Sequence, residues 1–182
     1  MPNTIKAALE DGMVKTVFLA EDPKDLTAPT VAELSAATVL DLSYYLTSDG
    51  FALEHSQESI EDDREGAAEA GEIPGRETYT GTSLKVIDNT NQVGSDNKPL
   101  ENAAVTTLTK GKQGTIVRRR GKPTDDAFAA GDVVSVFPVT IGIKSPIAHA
   151  ANQRQLSQIN FSVRTGAQDE TAVVGGTGTS KG

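Results

Sequence analysis

The chain has 182 residues, 37% hydrophobic but only 4% aromatic, with no cysteine and no tryptophan. That length fits one domain whose core is built mostly from Val, Ile, Leu and Ala. The absent cysteines exclude disulfides and thiolate chemistry, and His55 and His149 alone cannot make a multi-histidine metal centre.

The net charge of −8 is uneven. Residues 1–91 hold 18 acids and 6 bases, and residues 92–182 hold 7 acids and 11 bases, so the halves carry −12 and +4. Such polarity fits copies meeting head to tail, a heterologous contact that builds rings or filaments. Overall acidity argues against non-specific binding of nucleic acid through its phosphates. The longest apolar stretch, 133–139, is too short to span a membrane and contains Ser135 and Pro138. The opening MPNTIKAALEDG lacks the layout of a signal peptide. A soluble, intracellularly made domain without membrane insertion is expected.

Residues 14–20 suit a strand through Val17, Phe18 and Leu19. Thr30 to Leu34 reads as one helical turn with Thr30 as N-cap. Residues 38–46 mix periods and declare no element, and Ser48-Asp49-Gly50 is a turn signal. Phe51, Leu53 and His55 then alternate with Ala52, Glu54 and Ser56, the period of a strand. The alternation continues to Ile60 while losing its apolar members, so this strand should leave the core as an arm. Residues 61–75, EDDREGAAEAGEIPG, offer nothing to a core and read as a mobile loop. Residues 78–87 return to strand character. The whole, 51–88, is one long β-hairpin whose backbone needs cover from a neighbouring subunit.

Residues 88–99 form a polar loop. Asn97 or the residues just after it would cap a helix with Pro99 in its first turn and Leu100, Ala103, Ala104, Thr107 and Leu108 on one side. Gly111 would end it, with Lys110 and Lys112 at the carboxyl end. Residues 115–120 make a short strand. Residues 133–143, apolar on both faces, should be the most buried one, with Pro138 marking a bulge or an edge. Residues 155–164 alternate cleanly, Ile159, Phe161 and Val163 inward against Gln158, Asn160, Ser162 and Arg164 outward. Residues 166–182, rich in Gly, Thr and Ser, read as a flexible or late-ordering tail. The fold class is mainly β: an antiparallel β-sandwich or open barrel with one flanking α-helix and a long projecting β-hairpin. It forms a single domain over 1–165, followed by the tail.

The catalytic templates fail. Residues 114–122 lack phosphate-loop spacing, and Pro123 stands where Ser or Thr is required. In 88–101, Val93 occupies the turn position where a calcium loop needs Gly. Glu61, Asp62 and Asp63 lie in a loop that cannot supply the buried environment of an acid–base pair. No enzyme, cofactor or metal site is expected. Arg118, Arg119 and Arg120 differ in kind: on a strand, Arg118 and Arg120 share one face and Arg119 takes the other. They are either an exposed strand end or partners for carboxylates of another subunit.

The strings DLSYYLTSDGFALEHSQESIEDDREG, GRETYTGTSLKVIDN, ENAAVTTLTKGKQGTIVRRRG and FAAGDVVSVFPVTIGIKSP resemble the major tail tube proteins of long-tailed bacteriophages, particularly those of actinobacterial hosts. The resemblance runs over about residues 14–164. It implies a structural virion protein of the siphovirus type that stacks as hexameric rings into the tail tube, the conduit for genome delivery into the host bacterium. It further implies that 51–88 is the arm contacting neighbouring subunits or rings, that 101–108 is the flanking helix, and that 155–164 belongs to the inner sheet. Gln158, Asn160 and Ser162 would then be that sheet's polar face. Glu54, Glu58, Glu61, Asp62 and Asp63 are candidates for the lumen or for inter-subunit contacts, and Arg118, Arg119 and Arg120 for contacts between rings. A negative lumen would let DNA slide without sticking.

The partners implied are the protein itself, the tape measure, terminator and distal tail proteins, and double-stranded DNA in transient, non-specific passage. The expected location is the virion tail, assembled in the cytoplasm of the infected bacterium. Two alternatives are a head–tail joining or tail-terminator protein, and a β-sandwich receptor- or carbohydrate-binding virion module. The second calls for exposed aromatics, which three Tyr and five Phe supply poorly.

Overall fold

In the computed structural model, which describes residues 9–176, the alternating segments become eight strands. They are β1 (Val14–Leu19), β2 (Leu40–Asp41), β3 (Leu46–Asp62), β4 (Gly71–Ile87), β5 (Gln113–Arg120), β6 (Val133–Pro146), β7 (Leu156–Val163) and β8 (Gln168–Val173). Two short helices, α1 (Val31–Leu34) and α2 (Ala103–Thr107), complete the secondary structure. The strands form one sheet in the order β2-β1-β5-β6-β7-β4-β3, with β8 beside the first part of β6. Every pairing between these strands is antiparallel. Leu42 donates to the Thr16 carbonyl, and Ile87 to that of Tyr45. The segment after β2 therefore ties the β1 side to the β4 side and curls the sheet toward a barrel.

Side-chain parity sorts the core into two clusters. Phe18, Ile116 and Phe137 are cross-strand neighbours on the inner face, and Val17, Val117 and Val136 are neighbours on the outer face. Strands β1, β5 and β6 are thus buried on both sides, as the two-faced apolar run of β6 requires. The inner cluster adds Leu84, Val86, Ile159 and Phe161, and Ala104 and Leu108 of the α2 region pack into it. Leu34, Phe128 and Ala172 cover the outer cluster.

The capping of α1 is local and follows the sequence. Thr30 accepts from the Glu33 amide, and Glu33 accepts from the Thr30 amide at 2.8 Å. Elsewhere the structure corrects the sequence reading. Ser48-Asp49-Gly50 lies inside β3 as a bulge, because four residues pass a single partner between the Leu46–Val86 and Phe51–Leu84 pairs. A Cβ on Gly50 would fall 2.7 Å from the Lys85 carbonyl oxygen, so only glycine fits this bulge.

The expected loop 61–75 shrinks to 63–70. Backbone pairing continues through Ile60–Ile73 and Asp62–Gly71 whether or not the side chains are apolar. The helix cap is Asn102 rather than Asn97. Its side chain accepts from the Val105 amide and donates to the Ile87 carbonyl at 2.8 Å, leaving Pro99 in the preceding loop.

Pro138 makes neither a bulge nor an edge. Its carbonyl accepts from the Arg164 amide at 2.7 Å, on the side where the partner of β6 changes from β8 to β7. The missing N–H therefore falls at that seam and outside the β5 ladder. The tail reading is overturned over Gln168–Val173. This segment is β8, and Ala172 and Val174 are buried against the outer cluster. The rest of that expected tail, 177–182, lies outside the described residues.

Candidate functional site

The β3–β4 ribbon is the feature that the domain's own packing does not account for. Its two strands run 17 residues each, yet β4 pairs with β7 only from Ser83 to Ile87. From Ser56 to Thr78 no residue is buried. The free part of each strand, seven residues in Ser56 to Asp62, extends roughly 23 Å at strand rise. Residues 54–77 hold nine acids and two bases, a net of −7 in a chain of −8. Asp62 pairs with Arg64 and Glu77 with His55, whereas Glu54, Glu58, Glu61 and Asp63 have no ion pair among the described residues. Ile60 and Ile73 are cross-strand partners, 58% and 46% exposed.

The root of this arm is anchored to the body. The His55 ring stacks on Tyr79 with centroids 4.3 Å apart, between Glu77 at 3.4 Å and Asp169 of β8 at 3.6 Å. Tyr79 meets Phe137 edge-on, and Phe51 lies against Phe137 and Phe161. The aromatic residues are thus concentrated where the ribbon leaves the sheet, and sequence reading found no role for His55.

The three arginines part company. Arg119 is buried at 1% exposure with both terminal guanidinium nitrogens donating inside the subunit, so the expectation that it contacts another ring is wrong. It stacks over Phe128 and donates to Asp132 and to the carbonyls of Pro123, Asp126 and Ala127. Arg120 is exposed and pairs with Glu10 and Glu170. Arg118 has its guanidinium 4.6 Å from the Phe51 ring centre and no ion pair among the described residues. Burial pushes its pKa below the ordinary arginine value.

Arg118 lines a cleft of about 580 Å³ together with Tyr44, Phe51 and Asp125. Glu10, Asp11 and Asp125 give that cleft mixed charge, and no convergent donor set marks it for a ligand. No group of three His, Asp or Glu among the described residues could hold a metal.

Gln158, Asn160 and Ser162 lie together on the outward side of β7, opposite the buried Ile159 and Phe161, as the alternation requires. Their cross-strand neighbours are Lys85 and Ser83 on β4 and Thr140 on β6. The Lys85 charge is matched by Asp49 at 2.5 Å. The face they share is polar, with its cation paired.

At the α2 end, segments 88–112 and 144–155 carry five bases against three acids. Lys98 pairs with Asp96 and Lys144 with Asp88, whereas Lys110, Lys112 and Arg154 are exposed without an ion pair among the described residues. The sequence marks Lys110 and Lys112 behind the helix, but not Arg154, which comes from a separate loop.

A family model described as phage tail tube protein matches residues 1–176. No curated protein sequence matches the chain. One solved structure, the 6-fold symmetrised cryo-EM baseplate of the anti-feeding prophage, aligns with 88% of this chain and 93% of its own at 8% identity. Its TM-score is 0.46. No helix among the described residues is long and apolar enough to cross a membrane.

Proposed function

Since the chain belongs to the phage tail tube protein family, a family of structural rather than enzymatic components of the virion tail, we propose that its copies stack as hexameric rings into the tube that conducts the genome into the host. The observation that carries this reading is the arm. An acidic two-stranded ribbon with no buried residue from Ser56 to Thr78 adds nothing to the core of its own subunit. It gains support only from another molecule.

In this reading the outward face of β4, β7 and β6 turns to the lumen with Gln158, Asn160 and Ser162. It presents amides and hydroxyls, and its Lys85 is already neutralised by Asp49. Phosphates would find no free cation on it, so DNA would pass without the salt-dependent attraction of a basic channel. Arg120 is the member of the arginine triplet exposed enough to reach another ring. The tape measure, terminator and distal tail proteins would meet the ends of the tube.

Negative-stain electron microscopy of the purified protein tests this. Rings or tubes of uniform width are expected, and monodisperse monomers at high concentration would overturn it.

A further inference from the structure

His55 stands where the free ribbon leaves the rest of the sheet. Of the ion pairs among the described residues, only His55 with Asp169 joins the β3–β4 ribbon to another strand. Its Nδ1 lies 3.6 Å from the Asp169 carboxylate on β8, and its Nε2 lies 3.4 Å from the Glu77 carboxylate on β4. Strand β8 is distorted where it makes this contact. Three of its residues, 169–171, pass a single residue of β6 between the Val134–Ala172 and Val136–Gln168 pairs. Glu170 takes a φ of +53° there, a conformation that strains a residue with a side chain. Ser135, buried in β6, donates to Asp169 at 3.1 Å and accepts from the Glu170 amide at 3.0 Å. The bulge thus holds the Asp169 carboxylate toward a ribbon with which β8 has no ladder.

The charges around the ring come from four strands. Glu54, next along β3, accepts from the Thr80 hydroxyl. Glu77 and the stacked Tyr79 ring belong to β4, and Asp169 to β8. Arg118 and Arg120 of β5 border the same small cavity as Asp169 and Glu170. Arg120 is taken by Glu10 and Glu170, whereas Arg118 has no ion pair among the described residues. A neutral imidazole has one N–H, so it donates to one of its two carboxylates and turns a lone pair toward the other. An imidazolium donates to both. Histidine makes that change between about pH 5 and 8. Glu77 stays near His55 in either state, because His55–Tyr79 and Gln57–Glu77 are cross-strand pairs. The Asp169 contact has no such ladder behind it. We propose that His55 is a proton-operated latch on the arm: as the imidazolium it clamps the root of the ribbon to β8 through Asp169, and as the neutral ring it releases it. The clamp is therefore present at the acid end of that range and is lost as pH rises through it. It operates within one subunit, so it goes beyond the tube reading and does not depend on it.

The absence of cysteine allows the arm's position to be read from paired spin labels. Ser59→Cys on the arm and Ala130→Cys in the turn before β6, both exposed positions, carry the labels in the full-length protein. Dilution into unlabelled protein confines each measured distance to one subunit. A narrow distance distribution is expected at pH 5.5, and a broader or displaced one at pH 8. Adding His55→Gln or Asp169→Ala should give the broad distribution at both pH values with the wild-type circular dichroism spectrum retained. His149→Gln, which removes the other histidine, should leave the pH response in place. A distribution that ignores pH in the parent, a response that persists in Asp169→Ala, or one that is lost in His149→Gln would overturn the latch.

Discussion

The Arg119 guanidinium lies 3.2 Å from the Asp132 carboxylate, and neither side chain is more than 2% exposed. Asp132 also accepts from Lys122 and from the Ala129 amide at 3.0 Å. Burial alone would raise its carboxyl, but Lys122, the Ala129 amide and Arg119 outweigh that and hold it below the usual carboxylate range. Segment 123–132 is folded around this pair. Removing one partner would strand the other charge in the interior.

Arg119→Ala should therefore cost about 3–5 kcal/mol of folding stability, whereas Arg120→Ala, which breaks exposed pairs, should cost about 1 kcal/mol or less. Urea unfolding followed by circular dichroism measures both. Equal midpoints for the two variants would contradict the burial of Arg119.

Asp88 makes stability depend on acid. Its burial would raise the carboxyl, but Lys144 at 2.8 Å, Ser157 at 2.6 Å and Thr90 more than offset this and hold it well below the usual range. A carboxyl depressed on folding contributes fully above the unfolded value of about 4 and loses that contribution as pH falls below it. The melting temperature should drop between pH 5 and pH 2.5. In Asp88→Asn it should be lower at pH 7, by about 2 kcal/mol of stability, and fall less steeply across the same window. Parallel curves would remove Asp88 from the account.

Gly114 is held by close packing between strands. A Cβ there would meet the Leu19 carbonyl oxygen and come within 2.5 Å of Phe18 Cζ. The first obstacle is backbone, which cannot rotate away. Gly114→Ala should destabilise the protein by about 2 kcal/mol or more, whereas alanine at solvent-facing Gly66, with no neighbour within 4 Å, should change little. Thermal melts of the two variants give the comparison.

The body should fold without the distal arm. Ser56 and Thr78 are cross-strand partners, and joining them through Asn-Gly in place of 57–77 supplies a two-residue hairpin turn. Both core clusters, with the Tyr79 contact, remain intact in this variant. A cooperative melt within a few degrees of wild type is expected, together with loss of tubes in micrographs. An unfolded product would show that the arm stabilises its own subunit.

Much of this protein is written locally. The Thr30–Glu33 capping box, the alternation of Ile159 and Phe161 with Gln158 and Asn160, and the opposed faces of Arg118 and Arg119 all depend on residues a few positions apart. Periodicity and side-chain chemistry suffice for such features. The strand alternation that runs on to Ile60 while losing its apolar members is equally plain, and it set the expectation of an arm that meets another copy.

Tertiary structure decided what depends on distant partners. QDETAV carries no apolar alternation, and it becomes β8 because Val134 of β6 stands ready to pair with Ala172. Arg119 turns inward because segment 123–132 brings four acceptors and the Phe128 ring to it. Arg154 comes to the α2 end of the sheet only because Asp88 pairs with Gln155 and Asn102 with Ile87. Composition and spacing thus determined six of the eight strands, the projecting arm, and that the chain is electrically polar. The folded sheet decided which charges are consumed inside the subunit and which are left for a neighbour, because burial and pairing are properties of contacts between residues far apart in sequence.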